Sequence, residues 1–524
     1  MGLITKMIKF NGLLFVGGTG VTAYSYPELR QEPRELFHAM HRGLRVVKAG
    51  SLMARDYINA PEITSEVHQT AANRMYECFA KNAGPYIKLG QMVGQMQMLL
   101  PQEYCEAFEP MCMNAPKTPY AEVRKIVEAD LGRPLEDVFS EFEEKPIASA
   151  SLAQVHKAKL RSTGETVAVK VQHKWIREQV PGDLRLIQFG VDIALKLFPE
   201  FKYGWLPEEF QTRLPLELDF TKEAQNADKC REIFKDNPHV YVPKIYHDLT
   251  RQRVLVMSFE QGIPVSHVKE MYKQGVDLKK LAKIISETFI YMIYEKGFVH
   301  SDPHPGNLFA RKKIMPNGKE DIELVILDHG IYTTLPEDTR LSYTKLWRGI
   351  LSQDEPMIKE ASKELGADFY ELFTAIIVNR TFDDVMNKGN AVKTKSRLGQ
   401  VKSTEEKDAI KKYALYYHKD IVNILDMIKR ELLLVLKTNN YLRAIDNRLG
   451  NPNNSFNIIN EVTWKVFSKE LKYQLSTWSY FREWLRYHWL RFILTLYRMK
   501  LRVQSVFGIK ATEEELMDFE QETH

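Results

Sequence analysis

The chain has 524 residues, 44% hydrophobic and 27% charged, enough for two or three domains around a large core. A net charge of +5 is too mild to argue for a nucleic-acid partner. The four cysteines, Cys78, Cys105, Cys112 and Cys230, form no C-x-x-C pair, so neither zinc nor a disulfide framework is indicated and buried free thiols are expected.

Residues 1–27 stand apart. Lys6 and Lys9 come early, no acidic residue precedes Glu28, and residues 10–27 carry no charge. A mitochondrial targeting segment or a short membrane anchor is expected there. Glycines at 12, 17, 18 and 20 weaken the anchor, and the lack of arginine weakens the targeting segment. A cleavable secretory signal fits the unpatterned cysteines poorly.

Residues 33–131 read as helices. In Lys88-Leu89-Gly90-Gln91-Met92-Val93-Gly94-Gln95, the residues Lys88, Gln91 and Gln95 fall on one helical face among apolar neighbours. A lysine buried on so greasy a helix needs a carboxylate partner; a solvated amphipathic face is the alternative.

Strands begin near residue 146. The Ala/Ser-rich stretch Ala148-Ser149-Ala150-Ser151 leads into a strand, then a turn at Ser162-Thr163-Gly164-Glu165, then Thr166-Val167-Ala168-Val169-Lys170-Val171. Val-Ala-Val-Lys has the V-A-I-K pattern of a kinase strand, which makes Lys170 a candidate phosphate ligand. The hairpin before it occupies the place of a kinase Gly-rich loop, yet it has no glycine. Ala148, Ser149 and Ala150 would therefore bind nucleotide through a stiffer loop.

Lys170 needs an acid. Asp219, Glu223 and Asn226 are spaced to share one helix face, with Leu216, Leu218 and Phe220 arguing for burial. The gap back to Lys170 predicts an inserted helical pair over 174–214. Two more strands follow at 242–246 and 253–259. They end in Glu260-Gln261-Gly262, a predicted hinge, where the backbone of Ser258 and Glu260, with Met257 beside them, is the candidate for an adenine edge. Residues 278–297 form an amphipathic helix ending at Gly297.

Next comes Phe298-Val299-His300-Ser301-Asp302-Pro303-His304-Pro305-Gly306-Asn307-Leu308-Phe309, a loop whose prolines forbid a helix. Asp302 and Asn307 have the spacing of the Asp and Asn in H-R-D-x-x-x-x-N. The apolar run 324–327 then delivers Asp328-His329-Gly330, where a kinase carries D-F-G. Asn307 and Asp328 supply the hard oxygen ligands that Mg²⁺ takes together with phosphate oxygens, and Asp302 is the candidate catalytic residue. After Gly330 the chain reaches a helix start at Pro336-Glu337-Asp338, with no long activation segment and no A-P-E. Ser301 stands where a kinase has the arginine that grips a phosphorylated loop. Residues 386–412 read as a polar loop. Residues 464–510 hold ten Lys/Arg against two acids, with Trp464, Trp478, Trp484 and Trp489 among them. That pattern suits a membrane surface, or an aromatic helix packed on the domain.

On these residues the chain resembles the UbiB family of atypical kinases, also called aarF or ABC1. Lys88-Leu89-Gly90-Gln91 fits its K-x-G-Q signature, Ala148-Ser149-Ala150-Ser151 its Ala-rich loop, and Glu217-Leu218-Asp219 its E-x-D signature. Ser149 within the alanine run and His329 in place of the D-F-G phenylalanine depart from the pattern. The resemblance implies an α+β, protein-kinase-like bilobal fold with an N-terminal helical extension and extra C-terminal helices. The expected parts are a helical extension over 33–135, an N-lobe over 140–262, a C-lobe over 263–380, a basic aromatic region over 413–510 and an acidic tail over 513–524. It implies ATP or ADP with Mg²⁺ as ligands, Glu223 as the ion-pair partner of Lys170, and a regulatory set of Lys88, Gln91, Glu217 and Asp219 in a helix that occludes the peptide groove. It also implies a mitochondrial, inner-membrane-associated protein acting in lipid homeostasis, with membrane lipids and a membrane protein of that organelle as partners. The expected activity is that of an ATPase or a small-molecule or lipid kinase. A conventional Ser/Thr protein kinase and a non-catalytic nucleotide-sensing scaffold are the alternatives. Lys170, Glu223, Asp302, Asn307 and Asp328 are expected to serve one cleft capped by the helix that bears Lys88.

Overall fold

The computed structural model describes residues 33–94, 100–112, 117–174, 176–197, 204–316, 318–386, 417–450, 455–471, 477–478, 480–489 and 491–492. The segments 1–27 and 513–524, Gln95, and residues 387–412 of the polar stretch lie outside these. The chain is α+β and divides into two compact units, residues 1–225 with 244–259 and residues 226–243 with 260–524. The second unit thus takes residues 226–243, which the sequence had placed with the N-lobe.

The first unit begins with helices α1 (Pro33–Asn59), α2 (Ser65–Asn82), α3 (Pro85–Gly94), α4 (Gln102–Phe108) and α5 (Tyr120–Leu131). Their apolar faces make one core, in which Tyr86, Ile87, Leu89 and Val93 of α3 meet Phe79, Phe108, Met111, Ile176, Val180 and Leu214. Arg42 reaches across this core to pair with Asp183, whose side chain is wholly buried. The sheet runs β1 (Phe139–Phe142), β3 (Ala153–Leu160), β4 (Thr166–Gln172), β6 (Val254–Ser258), with the short β2 (Ala148–Ser149) added to β3. Strand alternation decides the faces. Val167, Val169 and Val171 point into a core shared with Val123, Ile126 and Val127 of α5, so Lys170 emerges on the other face. The inserted pair expected over 174–214 is present as α6 (Ile176–Leu197) and α7 (Trp205–Glu217), followed by α8 (Phe220–Phe234). The strand expected at 242–246 is reduced to a bridge between Ile245 and Met257, and Leu216 is exposed rather than buried.

The second unit contains a four-stranded sheet, β5 (Val240–Tyr241), β10 (Glu320–Ile326), β9 (Leu308–Ile314), β7 (Ile263–Pro264), and a two-stranded ribbon of β8 (Phe298–His300) with β11 (Tyr332–Thr334). Helix α9 (Leu278–Tyr291) is capped at its start by Asp277, whose side chain accepts the Lys280 N–H at 2.9 Å. It buries Leu281, Ile284, Ile285 and Phe289, and its wider last turn, Met292–Lys296, stops at Gly297. Gly297 has φ +60°, and a Cβ there would stand 3.2 Å from the Leu335 carbonyl, so only glycine delivers the chain into β8. After β11 the chain passes into α10 (Glu337–Ser352), and α11 (His418–Met427), α12 (Arg430–Arg448) and α13 (Ser455–Val466) follow further on, with residues 480–489 also helical. Cys78, Cys105 and Cys230 are free and buried, as expected.

Candidate functional site

In the first unit, Lys170 of β4 lies opposite Val155 on one side and Leu255 on the other. Its Nζ donates to both carboxylate oxygens of Glu223, at 2.7 and 2.9 Å. The ammonium also lies 5.2 Å from the centre of the Phe220 ring. The pair is secluded, with side-chain exposures of 14% and 3%. Removing either partner would leave a desolvated charge, at a cost of about 3–5 kcal/mol.

Glu223 is brought to Lys170 by contacts that no motif announces. Gln172, two residues along β4, donates from Nε2 to the Leu218 carbonyl at 2.6 Å, and Arg177 donates to the same oxygen at 2.7 Å. The E-x-D segment is therefore tied to the strand that carries Lys170. Within it, Glu217 pairs with Lys88 at 2.9 Å, both largely buried, which supplies the carboxylate that Lys88 requires. Asp219 does not extend the helical face. Helix α8 starts at Phe220, and the Asp219 carboxylate accepts the Thr221 N–H at 3.0 Å and the Thr221 hydroxyl at 2.6 Å. It opens the helix, as short acidic side chains do at that position. Gln91 is half-buried. Gly90 is fixed by packing, since a Cβ there would meet Phe108 Cδ1 at 2.8 Å and Met111 Sδ closer still.

The Ala/Ser loop is braced. Ala148 and Ser149 pair with Val155 and Gln154, and the Ala150 N–H donates to the Ala153 carbonyl at 2.8 Å. The His173 imidazole bonds the Ala150 carbonyl at 3.0 Å through Nε2 and the Thr118 hydroxyl at 2.7 Å through Nδ1. Burial lowers the His173 pKa, which favours the neutral ring. The Ser258 N–H donates to the Lys244 carbonyl at 2.9 Å, and the Phe259 N–H donates to the Thr166 carbonyl at 3.2 Å, so neither of these two N–H groups is offered to an adenine. Met257 lies in the ladder opposite Ala168.

In the second unit, the Glu260 side chain is committed to Arg311 at 2.6 Å, and Arg311 also pairs with the buried Glu323. The loop 300–307 is organised by His300, which is buried. Its Nδ1 accepts the Asp302 N–H at 3.2 Å, so Nε2 carries the proton that bonds the Asp328 carbonyl at 2.7 Å. Burial lowers the His300 pKa and keeps this ring neutral. One imidazole thus joins the loop of Asp302 to the loop of Asp328. The Leu327 N–H donates to the Asn307 carbonyl at 3.0 Å, joining the same two loops a second time. The Asp328 carboxylate accepts the Gly330 N–H at 2.9 Å. Asn226 donates to the His329 carbonyl at 3.0 Å. His329 is buried and stacks on Tyr332 with an interplanar angle of 10°. Its nitrogens bond the Tyr332 hydroxyl and the Ile326 carbonyl, so histidine fills the phenylalanine position as a hydrogen-bonded plate. Ser301 is buried and bonds Thr333 at 3.0 Å.

Among the described residues, no group of three or more His, Cys, Asp or Glu forms a ready-made metal cage. Asn307 and Asp328 instead offer two half-exposed oxygen donors on adjoining loops. That is a fit for Mg²⁺, which keeps waters and takes its other ligands from phosphate. Asp302 also meets Lys437 of α12, with Nζ 3.2 Å from Oδ1, a partner 135 positions downstream that sequence motifs give no means of finding.

The family model described as the ABC1 atypical kinase-like domain matches residues 111–362. The AarF domain-containing protein kinase 1 of Xenopus tropicalis is 36% identical, over 88% of this chain and 86% of its own. The AarF domain-containing kinase 1 of Drosophila melanogaster is 37% identical, over 74% of this chain and 73% of its own. A putative ABC1 protein of Arabidopsis thaliana is 38% identical, over 77% of this chain and 76% of its own. The chain belongs to the ABC1, or AarF, family of atypical kinase-like proteins.

Proposed function

We propose that this protein binds ATP or ADP with Mg²⁺ and transfers phosphoryl groups to water or to a small or lipid-like hydroxyl. The observation that carries the reading is the two-oxygen ion pair of Lys170 with Glu223, since a kinase-type site requires that pair in place before it can act. Lys170 holds phosphate oxygens and Glu223 orients Lys170. Asn307 and Asp328 hold Mg²⁺, which neutralises charge on the phosphates. Asp302 positions the attacking hydroxyl and accepts its proton, a role worth ~10²–10⁴ in rate. The route from Gly330 to α10 passes through three residues of β11 paired with β8, which provides no activation segment for a peptide. Lys88 and Glu217 act as an internal latch on the helix of the K-x-G-Q motif.

The setting we propose is the mitochondrial inner membrane. Among the described residues no helix is long and apolar enough to span a bilayer. The proposed attachment is instead the helix at 480–489 with its flanks. Trp478, Phe481, Trp484, Leu485, Trp489 and Phe492 are exposed there, whereas Glu483 and Tyr487 on the other side are buried. An aromatic stripe within a strongly basic segment suits an anionic lipid surface.

The test is turnover of Mg-ATP by purified full-length protein, with mitochondrial-type lipid vesicles, with added protein substrates, and with neither. Wild type is expected to turn over in the lipid or lipid-free arms, and Asp302→Asn to lose at least about 10²-fold while still binding nucleotide. Robust phosphorylation of the added proteins would establish a conventional protein kinase. No turnover in any arm, with Asp302→Asn restoring cells that lack the protein, would establish a scaffold.

A further inference from the structure

The loop 300–307 contains no Lys or Arg, so any cation beside Asp302 has to come from elsewhere in the chain. It comes from α12. Lys437 places its Nζ 3.2 Å from Asp302 Oδ1, with the two side chains 26% and 23% exposed. Further contacts join that helix to the loop. The buried Thr438 hydroxyl donates to the His300 carbonyl at 3.3 Å. Tyr441 meets the His304 ring edge-on, with centroids 6.3 Å apart and planes at 82°. Lys437 and Tyr441 are one helical turn apart on one face, and the Lys437 ammonium lies 5.6 Å from the Tyr441 ring centre. All three residues fall outside the segment 111–362 that matches the family's domain.

We propose that Lys437 is the positioning residue for Asp302. The inference rests on the phosphoryl-transfer reading given above. Pro303 and Pro305 fix the backbone of the loop, but a fixed backbone does not by itself set the Asp302 rotamer. An ammonium 3.2 Å from one carboxylate oxygen selects the rotamer by charge attraction. In the reaction, the acceptor oxygen bonds to the γ-phosphorus of ATP as the bond to the β–γ bridging oxygen breaks, the nucleoside diphosphate leaves with that oxygen, and the acceptor's proton passes to Asp302. Lys437 takes no part in bond making. It holds the carboxylate where the proton arrives, and Thr438 and Tyr441 hold the helix to the loop. Misplacing a positioned group by an ångström costs on the order of 10²-fold in rate.

The test compares wild type, Asp302→Asn, Lys437→Met and Lys437→Arg as full chains. Two readouts are taken: steady-state Mg-ATP turnover, and backbone hydrogen exchange over residues 300–307. Lys437→Met is expected to lower kcat by between about tenfold and about 10²-fold, with KM for nucleotide changed by less than about twofold. Lys437→Arg is expected to restore most of the rate, and exchange in the loop is expected to quicken in Lys437→Met alone. If Asp302→Asn is inactive but Lys437→Met matches or exceeds wild type, the inference is overturned and the proposed function stands. If wild type itself does not turn over, the proposed function falls, and exchange decides the inference. Quickened exchange in Lys437→Met alone sustains the positioning role, and unchanged exchange removes it.

Discussion

Lys170 illustrates how much one position in a sequence can carry. Alternation along Thr166–Val171 places its side chain on the face opposite Val167, Val169 and Val171, and the need for an acid follows from burial. The residues alone offered Asp219, Glu223 and Asn226 as candidates, and the family resemblance singled out Glu223, which the structure pairs with Lys170. Asp219 was misread for a physical reason. A helical wheel extends backwards without limit, but a helix does not, and the Thr221 N–H needs an acceptor at its first turn. The bond of the Ser258 N–H to Lys244 was not legible, because nothing in a strand's own sequence tells which carbonyl lies across from its N–H. Asp446 had no signal at all, and it yields a prediction at this scale. One of its carboxylate oxygens is buried and without a partner among the described residues, and burial pushes its pKa from 3.8 up to about 7. The folded chain therefore holds a proton that the unfolded chain releases near pH 4. Wild-type stability falls as pH rises from about 4 to about 7 and stays low above. Asp446→Asn carries no charge to desolvate, so it should be more stable than wild type by ~1–3 kcal/mol near neutral pH, and the gap should close towards pH 4. Thermal melts at several pH values read this directly. An equal gap at every pH would show that the carboxyl is not held protonated.

Among elements, the helix at 480–489 was ambiguous in sequence because basic and aromatic residues suit either a membrane or a packed core. The helix has two unlike sides. One side is docked. Tyr487 stacks on Trp464 with ring centres 4.7 Å apart, Arg486 reaches Asp354 at 2.5 Å and Glu483 at 2.6 Å, and Glu483 lies 3.6 Å from the buried Arg348. Burial brings Arg348 down to about 10. The other side presents the aromatic stripe. We expect wild type to float with vesicles that contain anionic lipid. We expect Phe481→Ser combined with Trp484→Ser and Trp489→Ser to weaken that binding by at least about tenfold, because each change removes apolar area from the contact. Unchanged flotation would detach the stripe from lipid binding. A dimer in wild type that becomes a monomer in the triple variant would assign the stripe to a second copy instead. The contact of α12 with the loop 300–307 was illegible for a different reason. It joins positions 135 residues apart, and no periodicity or spacing rule encodes such a pair.

At the scale of the whole chain, the order of parts was readable. The helical run, the hairpin with Lys170, the inserted helices, the proline-rich loop and the strand into Asp328 all occur in the expected sequence, because each has its own periodicity and punctuation. The grouping of those parts was less readable. Residues 226–243 join the second unit through β5, a two-residue strand paired in parallel with β10, and so short a strand leaves almost no trace in a sequence. The central proposal is that Lys170, held by Glu223, binds nucleotide phosphate and that Asn307 and Asp328 bind Mg²⁺. The most direct measurement is a nucleotide titration of the full chain with and without Mg²⁺, comparing wild type with Lys170→Met and Asp328→Asn. Lys170→Met is expected to weaken binding at least about tenfold in both conditions, as loss of a charged hydrogen bond does. Asp328→Asn is expected to abolish the gain that Mg²⁺ gives wild type. Binding as tight as wild type in both variants, with the Mg²⁺ gain intact, would contradict the proposal.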